Sequence, residues 1–392
     1  MKYYIIAGEA SGDLHGSNLI KELKKLDASA TIHCWGGDKM QQAGGELIMH
    51  YRKLAFMGFT EVLMNLQTIL RNLKFCKKDI LQFKPDALIL IDYPGFNLRI
   101  AKWAKQQGLF TASRGKVIYY ISPQVWAWKE NRVKMMKQCI DKMLVILPFE
   151  KKYFKEKWNW DVEYVGHPLV EVIDEFRADS QESGINNSEL PTCLSGRQAQ
   201  NSRLIALLPG SRKQEIEKKL PVMLEVCKNF PDHQFIIAQA PSMEDDFYKP
   251  FTRQYPNVSS VNNKTYELLM QAKAALVTSG TATLETALFN VPQVVCYKGS
   301  YFTYHIAKWL VKVKYIAMAN LIMNKPVVKE LIQKKLTAEN LSHELHEILT
   351  NNDRIAEIKK DYAELKQLLS EGGNASSKAA RSIINILSTK AV

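Results

Sequence analysis

The stretch of sequence that decides the fold is YYIIAGEASGDLHGSNLIKELKKL, residues 3–26. It begins with an apolar run at residues 3–7, passes through the small residues of GEASG, and continues with Leu19, Leu23 and Leu26 at helical spacing. An apolar run of strand length, a glycine-containing turn and a helical period together predict a strand, a tight turn and a helix.

The same succession of strand, turn and helix recurs along the chain. Further apolar runs that end in turn residues occupy residues 87–91, 116–121, 143–147, 203–208, 234–238, 274–278 and 293–297. Residues 337–387 are almost wholly helical in pattern, with a break at Gly372 and Gly373. Buried strands that alternate with helices are typical of parallel sheets covered by helices on both faces.

A polar stretch rich in Ser, Asn and Gln separates two such regions. At about 150 residues per domain, a chain of 392 residues is predicted to form two domains. We therefore predict an α/β fold of two doubly wound, Rossmann-like domains facing a cleft. The predicted divisions are an N-terminal domain at 1–174, a linker at 175–202, a second domain at 203–365, and a C-terminal helix at 366–392 that can pack back on the N-terminal domain.

Composition excludes a disordered chain and narrows the choice of partners. Hydrophobic residues make up 46% of the chain and charged residues 24%, as in ordinary folded proteins. The formal net charge of +13 attracts phosphates, anionic lipid surfaces or nucleic acid, and does not choose among them. The six cysteines are scattered, without a CxxC pair, so we expect neither a zinc site nor disulfides and infer a reducing cytoplasm.

The longest apolar runs are too short to cross a bilayer, and the first one stops at Glu9, too early for a signal peptide. Any membrane contact is therefore expected from one side. Two stretches suit such a contact: an apolar stripe from Phe59 to Leu73 with basic flanks, and residues 297–315, where aromatic residues alternate with lysines. Core helices with solvated lysines would give the same pattern.

The turns that follow the strands are the first places to look for a ligand, because doubly wound sheets bind ligands beyond the carboxyl ends of their strands. In LPGSR, residues 208–212, Gly210 and Ser211 expose backbone N–H groups at the start of a helix. Arg212 adds donors that suit a phosphate. An ordinary turn with a solvated arginine would have the same sequence.

A second turn of this kind is TSGTATLE, residues 278–285. Ser279 and Thr281, on either side of Gly280, can cap the helix and can also donate to a diphosphate. Glu285 lies one helical turn further on, where a carboxylate suits two ribose hydroxyls. A plain helix cap would explain this turn alone, but two such turns in one domain favour a nucleotide diphosphate.

Acidic residues follow two of the N-terminal strands. GEASGD, residues 8–13, supplies Glu9 and Asp13 and is followed by His15, but it lacks the GxGxxG spacing of a dinucleotide site. Asp92 ends another strand, where it can serve as a positioned base. Each acid also has a structural alternative: Asp13 can cap its own helix, and Asp92 can bond its own loop.

Two further segments contain candidate binding residues. The loop PQVWAW, residues 123–128, places Gln124, Trp126 and a second tryptophan where exposure is costly, so we expect it to line a cleft or a sugar subsite. A wedge in the core is the alternative. His167, in VGHPL, would by itself more often be structural.

Together these strings resemble one family, the lipid-A-disaccharide synthases, which are bacterial glycosyltransferases of endotoxin assembly. The matching strings, in family order, are AGEASGD (7–13), MGFTEV (57–62), PDALILIDYPGFN (85–97), SPQVWAW (122–128), LPFE (147–150), VGHPL (165–169), LLPGSR (207–212), SGTATLE (279–285) and NL (320–321). They extend almost from end to end, and the linker and the extreme C-terminus are the least covered parts.

The resemblance implies a two-domain GT-B fold and one reaction. UDP-2,3-diacylglucosamine and 2,3-diacylglucosamine 1-phosphate would give the β-1′,6-linked disaccharide 1-phosphate and UDP. The residues implied to hold UDP are Arg212, Ser279, Thr281, Glu285 and Asn320. Glu9, Ser11 and the Asp92 loop would face the acceptor and the transferred sugar. The other residues that we assign to substrate binding are Gly12, His15, Met57, Gln124, Trp126, His167, Gly210, Ser211 and Gly280.

The expected mechanism inverts the anomeric centre and uses neither a metal nor a cofactor. Arg212 and two helix N-termini would stabilise the departing UDP, and no convincing DxD motif accompanies them. Asp92, or less readily Glu9, would deprotonate the acceptor. Many family members carry a second acid where this chain has Gly95, so a base at that position is not expected in this protein. The resemblance also implies peripheral attachment to the inner face of the inner membrane, and it leaves a homodimer open.

Two other functions are compatible with parts of the sequence. A sugar-nucleotide epimerase of the same GT-B class would use the UDP site without a lipid acceptor. The basic charge would also suit a nucleic-acid-binding module, but no aromatic RNA-binding signature, zinc finger or lysine-rich run supports one.

Overall fold

The computed structural model describes residues 1–54, 66–111, 115–182, 203–241, 243–299 and 314–389. The chain divides into two compact units. Unit 1 comprises Met1–Glu171 together with Leu369–Val392, and unit 2 comprises Val172–Leu368.

The centre of unit 1 is a parallel sheet in the order β3-β2-β1-β4-β5-β6-β7. Its strands are β1 (Lys2–Ala7), β2 (Thr31–Gly36), β3 (Glu46–His50), β4 (Ala87–Ile91), β5 (Lys116–Tyr120), β6 (Lys142–Val145) and β7 (Glu163–Tyr164). Alternate residues of β1 enter two separate apolar clusters: Tyr4 and Ile6 join one, whereas Tyr3 and Ile5 join the other. The sheet is therefore buried on both faces, as parallel sheets require.

Helices cover these two faces. They are α1 (Ala10–Leu26), α2 (Asp38–Gln42), α3 (Leu66–Phe83), α4 (Pro94–Gln106), α5 (Arg132–Cys139), α6 (Pro148–Trp158) and, near the end of the chain, α15 (Ala375–Ser388). Helix α7 (Pro168–Glu182) begins in unit 1 and continues in unit 2 from Val172 onward. A 3₁₀ turn spans Tyr51–Lys53.

Unit 2 repeats this plan with a parallel sheet in the order β10-β9-β8-β11-β12-β13. Its strands are β8 (Leu204–Leu208), β9 (Gln234–Gln239), β10 (Val258–Asn262), β11 (Ala274–Thr278), β12 (Gln293–Tyr297) and β13 (Lys329–Ile332). Its helices are α8 (Lys213–Cys227), α9 (Asp245–Thr252), α10 (Thr265–Gln271), α11 (Thr281–Leu288), α12 (Met318–Met323), α13 (Ala338–Thr350) and α14 (Asn352–Ser370), with a 3₁₀ turn at Gln333–Lys335. The predicted pair of doubly wound α/β domains is confirmed.

The last helix of the chain, α15, belongs to unit 1. It packs along α1 and contributes Ala379, Ala380 and Ile383 to the same apolar cluster as Ile5. Its Lys378 ammonium donates to the Tyr164 carbonyl over 2.8 Å. Residues 175–182, which we predicted as the start of a linker, instead continue helix α7, and the rest of that linker lies outside the described residues.

In the described part of the chain, no helix is both long enough and apolar enough to span a bilayer.

Candidate active site

Unit 2 contains a cavity of about 630 Å³ at the carboxyl ends of β8, β9 and β11. It is lined by Leu208, Gly210, Ser211, Arg212, Glu215, Ala238, Gln239, Ala240, Pro241, Thr265, Tyr266, Thr278, Ser279, Gly280, Thr281, Ala282 and Glu285. The structure thus brings both predicted phosphate turns to one cavity. All the residues predicted to hold UDP, except Asn320, line it.

The first turn depends on a glycine. Gly210 has φ +126°, and a Cβ there would lie 2.8 Å from a Glu215 carboxylate oxygen. Glu215 in turn lies 3.7 Å from the Arg212 guanidinium on one side and 3.7 Å from the buried Lys219 ammonium on the other. Lys219 also donates to the Thr278 hydroxyl. The Glu215 carboxylate therefore lies between two cations, and its contact with the buried Lys219 holds it near Arg212. The Arg212 side chain itself is 61% exposed.

The second turn exposes the start of helix α11. Gly280 is the N-cap residue, with φ +124°, and no side chain caps the helix there. Our expectation that Ser279 or Thr281 caps this helix was therefore wrong. The Thr283 hydroxyl instead donates to the Gly280 carbonyl over 2.8 Å. A Cβ at Gly280 would meet no atom within 4 Å, so the space beside this residue is open.

Glu285 lies in the wall of the same cavity and accepts a hydrogen bond of 3.1 Å from the Tyr266 hydroxyl. Burial raises the pKa of Glu285, while the bond from Tyr266 opposes that rise. The tyrosine holds this carboxylate in one orientation, as a site for paired hydroxyls requires.

In unit 1, Asp92 lies in a strained turn at the carboxyl end of β4. Asp92 and Tyr93 have φ values of +42° and +47°, a conformation that non-glycine residues seldom adopt. Two buried side chains hold the turn through the Asp92 carbonyl: the Asn97 amide donates to it over 2.8 Å and the Tyr119 hydroxyl over 2.5 Å. Strained backbone held from several sides is typical of functional sites.

The negative charge of Glu9 affects the pKa of the Asp92 carboxyl group. Burial and the negative charge of Glu9 together raise the pKa of Asp92 to about 6, and a hydrogen bond from the Tyr93 backbone opposes the rise. Glu9 is the N-cap residue of α1. The two acids that we predicted as catalytic are thus close enough to interact. A Cβ at Gly8 would overlap the Tyr93 ring, so this glycine permits the close approach of the two loops.

Four other residues of unit 1 were predicted to bind substrate. Ser11 and Gly12 lie in the first turn of α1. Ser11 is exposed, whereas Gly12 packs tightly, since a Cβ there would lie 3.0 Å from the Ala7 Cβ. His15 and His167 are both buried. Desolvation lowers the pKa of His15 to about 4 and that of His167 to about 3, the latter with a contribution from His15. Both side chains are therefore neutral at pH 7.

Asp13 does not cap its own helix. Its carboxylate accepts hydrogen bonds from the backbone N–H groups of Gly37, Lys39 and Met40, at the start of α2. It joins the first turn to the loop after β2 and is a structural residue.

The predicted tryptophan loop follows β5. Trp126 is partly buried, and its indole N–H donates to the buried Glu150 carboxylate over 3.2 Å. Burial raises the pKa of Glu150 to about 7, against the hydrogen bonds that it accepts. Gln124 is exposed beside them. Met57 lies outside the described residues.

Among the residues that the structure describes, no group of three or more His, Cys, Asp or Glu side chains is placed to hold a metal ion. The five described cysteines are free and buried.

The sequence model described as lipid-A-disaccharide synthetase matches residues 3–385. The chain belongs to this family. It is 37% identical to the lipid-A-disaccharide synthase of Geobacter metallireducens over 98% of this chain and 97% of that protein. It is 38% identical to lipid-A-disaccharide synthase 1 of Legionella pneumophila (strain Lens) over 93% of this chain and 92% of that protein.

Solved structures share the fold of this synthase-family chain at low identity. A UDP-GlcNAc 2-epimerase from Neisseria meningitidis bound to UDP-GlcNAc has a TM-score of 0.69 at 12% identity, over 98% of this chain and all of that one. The glycotransferase of kitacinnamycin has a TM-score of 0.64 at 12% identity, over 98% of each chain. At this identity, the likeness concerns the fold alone.

Asn320 does not line the cavity. It is 1% exposed, and its amide group bonds the Val328 carbonyl and N–H, each over 2.8 Å, and the Glu330 carboxylate over 3.0 Å. Its polar atoms are therefore used within the protein. In this synthase-family chain, Asn320 fixes the segment around α12 and does not reach the cavity predicted to hold UDP.

Sequence reasoning did not assign several residues that line the cavity, among them Glu215, Gln239, Thr265 and Tyr266. Gln239 ends β9, and Thr265 and Tyr266 begin the helix after β10. The rule that ligands lie beyond the carboxyl ends of strands points to Gln239, at the end of the predicted strand 234–238. It could not point to Thr265 and Tyr266, because residues 258–262 were not predicted to form a strand.

Proposed function

We propose that this protein transfers the diacylglucosamine of UDP-2,3-diacylglucosamine to the 6-hydroxyl of 2,3-diacylglucosamine 1-phosphate. The products are the β-1′,6-linked disaccharide 1-phosphate and UDP, as in a lipid-A-disaccharide synthase. Near-full-length membership of that family is the single observation that carries the proposal.

The cavity of unit 2 would hold the UDP part of the donor. The backbone N–H groups at Gly210, Ser211 and Gly280 line the cavity and can donate to the diphosphate, and Arg212 supplies the full positive charge. Negative charge develops on the diphosphate as the sugar departs, and donors already in place stabilise it without reorganising. Glu285, oriented by Tyr266, suits the two ribose hydroxyls.

Asp92 would act as the general base. A base works best when its pKa is close to the operating pH and its carboxylate is still ionised, and the pKa of Asp92, about 6, meets both conditions at pH 7. The carboxylate would take the proton of the acceptor 6-hydroxyl as that oxygen attacks the anomeric carbon from the face opposite UDP. The configuration at that carbon is then inverted. Glu9 raises the proton affinity of this base.

Helix α3 would bring the enzyme to its acylated substrates. Leu70 and Leu81 are 55% and 47% exposed and lie on the same face, about three helical turns apart. Lys74 lies between them on that face, and Arg71 and Lys78 are nearby in the same helix. Exposed leucines with a basic surround suit an anionic lipid surface. We propose a peripheral position on the inner face of the inner membrane. Two residues of the predicted stripe do not face outward: Leu73 is buried in the core of unit 1 and Ile69 packs against that core. The part of the stripe before Leu66, and most of residues 297–315, lie outside the described residues.

The decisive experiment incubates the purified protein with both lipid substrates, with and without a chelator, and identifies the products by mass spectrometry. We expect the disaccharide 1-phosphate and UDP, in equal amounts with and without the chelator. A free epimerised sugar nucleotide would replace this function with that of an epimerase. The absence of both products from folded protein would contradict the proposal.

A further inference from the structure

Two cations flank an exposed tryptophan at the carboxyl end of β5. The Trp128 side chain is 45% exposed. The Lys129 ammonium lies 4.3 Å from its ring centroid, and the Arg132 guanidinium lies 5.9 Å from it. Both cations therefore lie at the surface of one indole ring.

Neither cation has an acidic partner in the described part of the chain. The carboxylate that lies between them in sequence, Glu130, accepts a hydrogen bond of 2.7 Å from Tyr153 and pairs with Lys157. Partial burial and the positive charge of Arg132 both lower the pKa of Lys129, which places the two charges within reach of each other. Two adjacent like charges destabilise a fold unless an anion lies between them.

The backbone conformation of Lys129 is also unfavourable. Lys129 has φ +54°, a left-handed conformation that is strained for a residue with a side chain. Strain of this kind persists where the surrounding structure imposes it, and such positions cluster at functional sites.

Arg132 and the proposed base, Asp92, both act electrostatically on Tyr119. Burial raises the pKa of Tyr119 well above its usual value, Asp92 adds to the rise, and Arg132 opposes it. The Tyr119 hydroxyl is the group that donates to the Asp92 carbonyl. Arg132 therefore acts electrostatically on the group that holds the catalytic turn.

We propose that Lys129 and Arg132 bind a sugar phosphomonoester, the 1-phosphate of the acceptor, at the carboxyl edge of the unit 1 sheet. This inference rests on the proposed function, because that reaction supplies an acceptor with such a phosphate. A guanidinium and an ammonium together offer a fork and a point charge to the phosphate oxygens. The exposed face of Trp128 suits the apolar face of the sugar.

The first test measures binding without catalysis. Glucosamine 1-phosphate and inorganic phosphate are each titrated into the full-length protein, and the indole N–H signal of Trp128, assigned with Trp128→Phe, is followed by NMR. We expect saturable shifts with both, and a dissociation constant about tenfold higher in Lys129→Gln and Arg132→Gln, the loss of one charge-assisted contact. Lys134→Gln removes the same charge from an exposed position in the first turn of α5 and should bind as the parent does. Equal binding by all variants would overturn the proposal.

The second test uses the acceptor with and without its phosphate. In the parent, removal of the phosphate should raise the acceptor KM about tenfold. In Arg132→Gln the acceptor KM should already be raised, removal of the phosphate should add little, and the KM for the UDP-sugar should not change. If removal of the phosphate raises the acceptor KM by the same factor in the parent and in Arg132→Gln, the proposal is overturned, even when both proteins are active transferases.

The two proposals can fail separately. Binding of glucosamine 1-phosphate that depends on Arg132, in a protein without transferase activity, would preserve the site and overturn the function. A lipid headgroup is the other possible source of phosphate. If Arg132→Gln loses retention on phosphatidylglycerol vesicles while the KM for a short-chain acceptor is unchanged, the assignment to the acceptor is overturned. Unchanged retention with a raised KM supports it.

Discussion

The side-chain amide of Asn97 donates to the backbone carbonyl of Asp92 over 2.8 Å, and also to the carbonyls of Ile91 at 3.1 Å and Ile6 at 3.3 Å. One buried amide thus joins the end of β1 to the end of β4. This connection holds the left-handed turn in which Asp92 lies. The pKa of the Asp92 carboxyl group in this turn depends on the negative charge of Glu9.

The pH dependence of transfer should report the proton affinity of Asp92. Because the base must be ionised, we expect the rate to fall with decreasing pH, with a midpoint near the pKa of about 6. Asp92→Asn should lower kcat by roughly 10²–10⁴-fold, the usual contribution of a general base. Glu9→Gln removes a negative charge that raises the pKa of Asp92, so its acid limb should move to lower pH. If the pH profile of Glu9→Gln has the same midpoint as that of the parent, the charge of Glu9 does not affect the pKa of Asp92. If Asp92→Asn has the rate and the pH profile of the parent, Asp92 is not the base.

The same carboxyl group should lower the stability of the folded protein at neutral pH. Its folded-state pKa is about 6, against 3.8 for the unfolded chain, so ionisation is costlier in the folded state. Asp92→Asn should therefore increase the free energy of unfolding by about 1–3 kcal/mol above pH 6. The gain should shrink as the pH falls through the interval between the two pKa values and vanish below the lower one. Urea denaturation at several pH values measures it, and a gain that is constant with pH would show that ionisation of Asp92 is not its cause.

Gly95 offers a position where an acid can be added. A Cβ there would meet no atom within 4 Å, and the residue lies in the first turn of α4, next to Pro94. Gly95→Asp should stabilise the protein by about 1 kcal/mol, through helix propensity and the favourable helix dipole. Gly95→Ala is the matched control that retains the propensity gain alone. In the Asp92→Asn background, Gly95→Asp should restore part of the lost rate, whereas Gly95→Ala should restore none. Equal rates in the two double variants would show that this position cannot supply a base.

Removal of the Arg212 guanidinium should mainly affect catalysis. We expect Arg212→Ala to lower kcat/KM by roughly 10²–10³-fold, the cost of losing a preorganised donor to a developing anion. UDP should also inhibit the variant more weakly than the parent. Lys213→Ala removes the next exposed cation along the chain and serves as the charge control. Near-normal turnover in folded Arg212→Ala would remove this residue from the proposed site.

Attachment to membranes should depend on both the apolar and the basic residues of α3. Retention on phosphatidylglycerol vesicles should fall with increasing salt, since exposed charges are screened. It should fall further in Leu70→Ser and in Lys74→Gln. Lys134→Gln, at an exposed position on another helix of unit 1, is the control for a general loss of charge. Retention that is indifferent to salt and to lipid charge would exclude this surface.

Eight of the thirteen described strands, and the two phosphate turns, could be predicted because their signals are local. Each of these eight strands is an apolar run of buried-strand length, and each turn has glycine where the backbone has a positive φ, as at Gly210 and Gly280. Strands β2, β3, β7, β10 and β13 were not predicted, because polar residues interrupt them. The functions of Asp13 and Asn320 could not be predicted in the same way. Their partners, at residues 37–40 and at Val328 and Glu330, approach them only after the chain has folded.

The strained turn at Asp92 was unpredictable for the same reason. Neither aspartate nor tyrosine favours a positive φ by itself, and the sequence DYPG gives no sign of one. The conformation depends on Asn97 and on Tyr119, a residue of a neighbouring strand. The sequence could therefore place an acid at the end of β4, but not the backbone that directs it.

Helix α15 has a consequence for biosynthesis. Ala379, Ala380 and Ile383 pack in the same core as Tyr3 and Ile5, so strand β1 leaves the ribosome long before the helix that completes its core. The residues of unit 2 are contiguous, from Val172 to Leu368, and all emerge before that helix. Vectorial synthesis thus lets the second unit fold before the core of the first unit is complete.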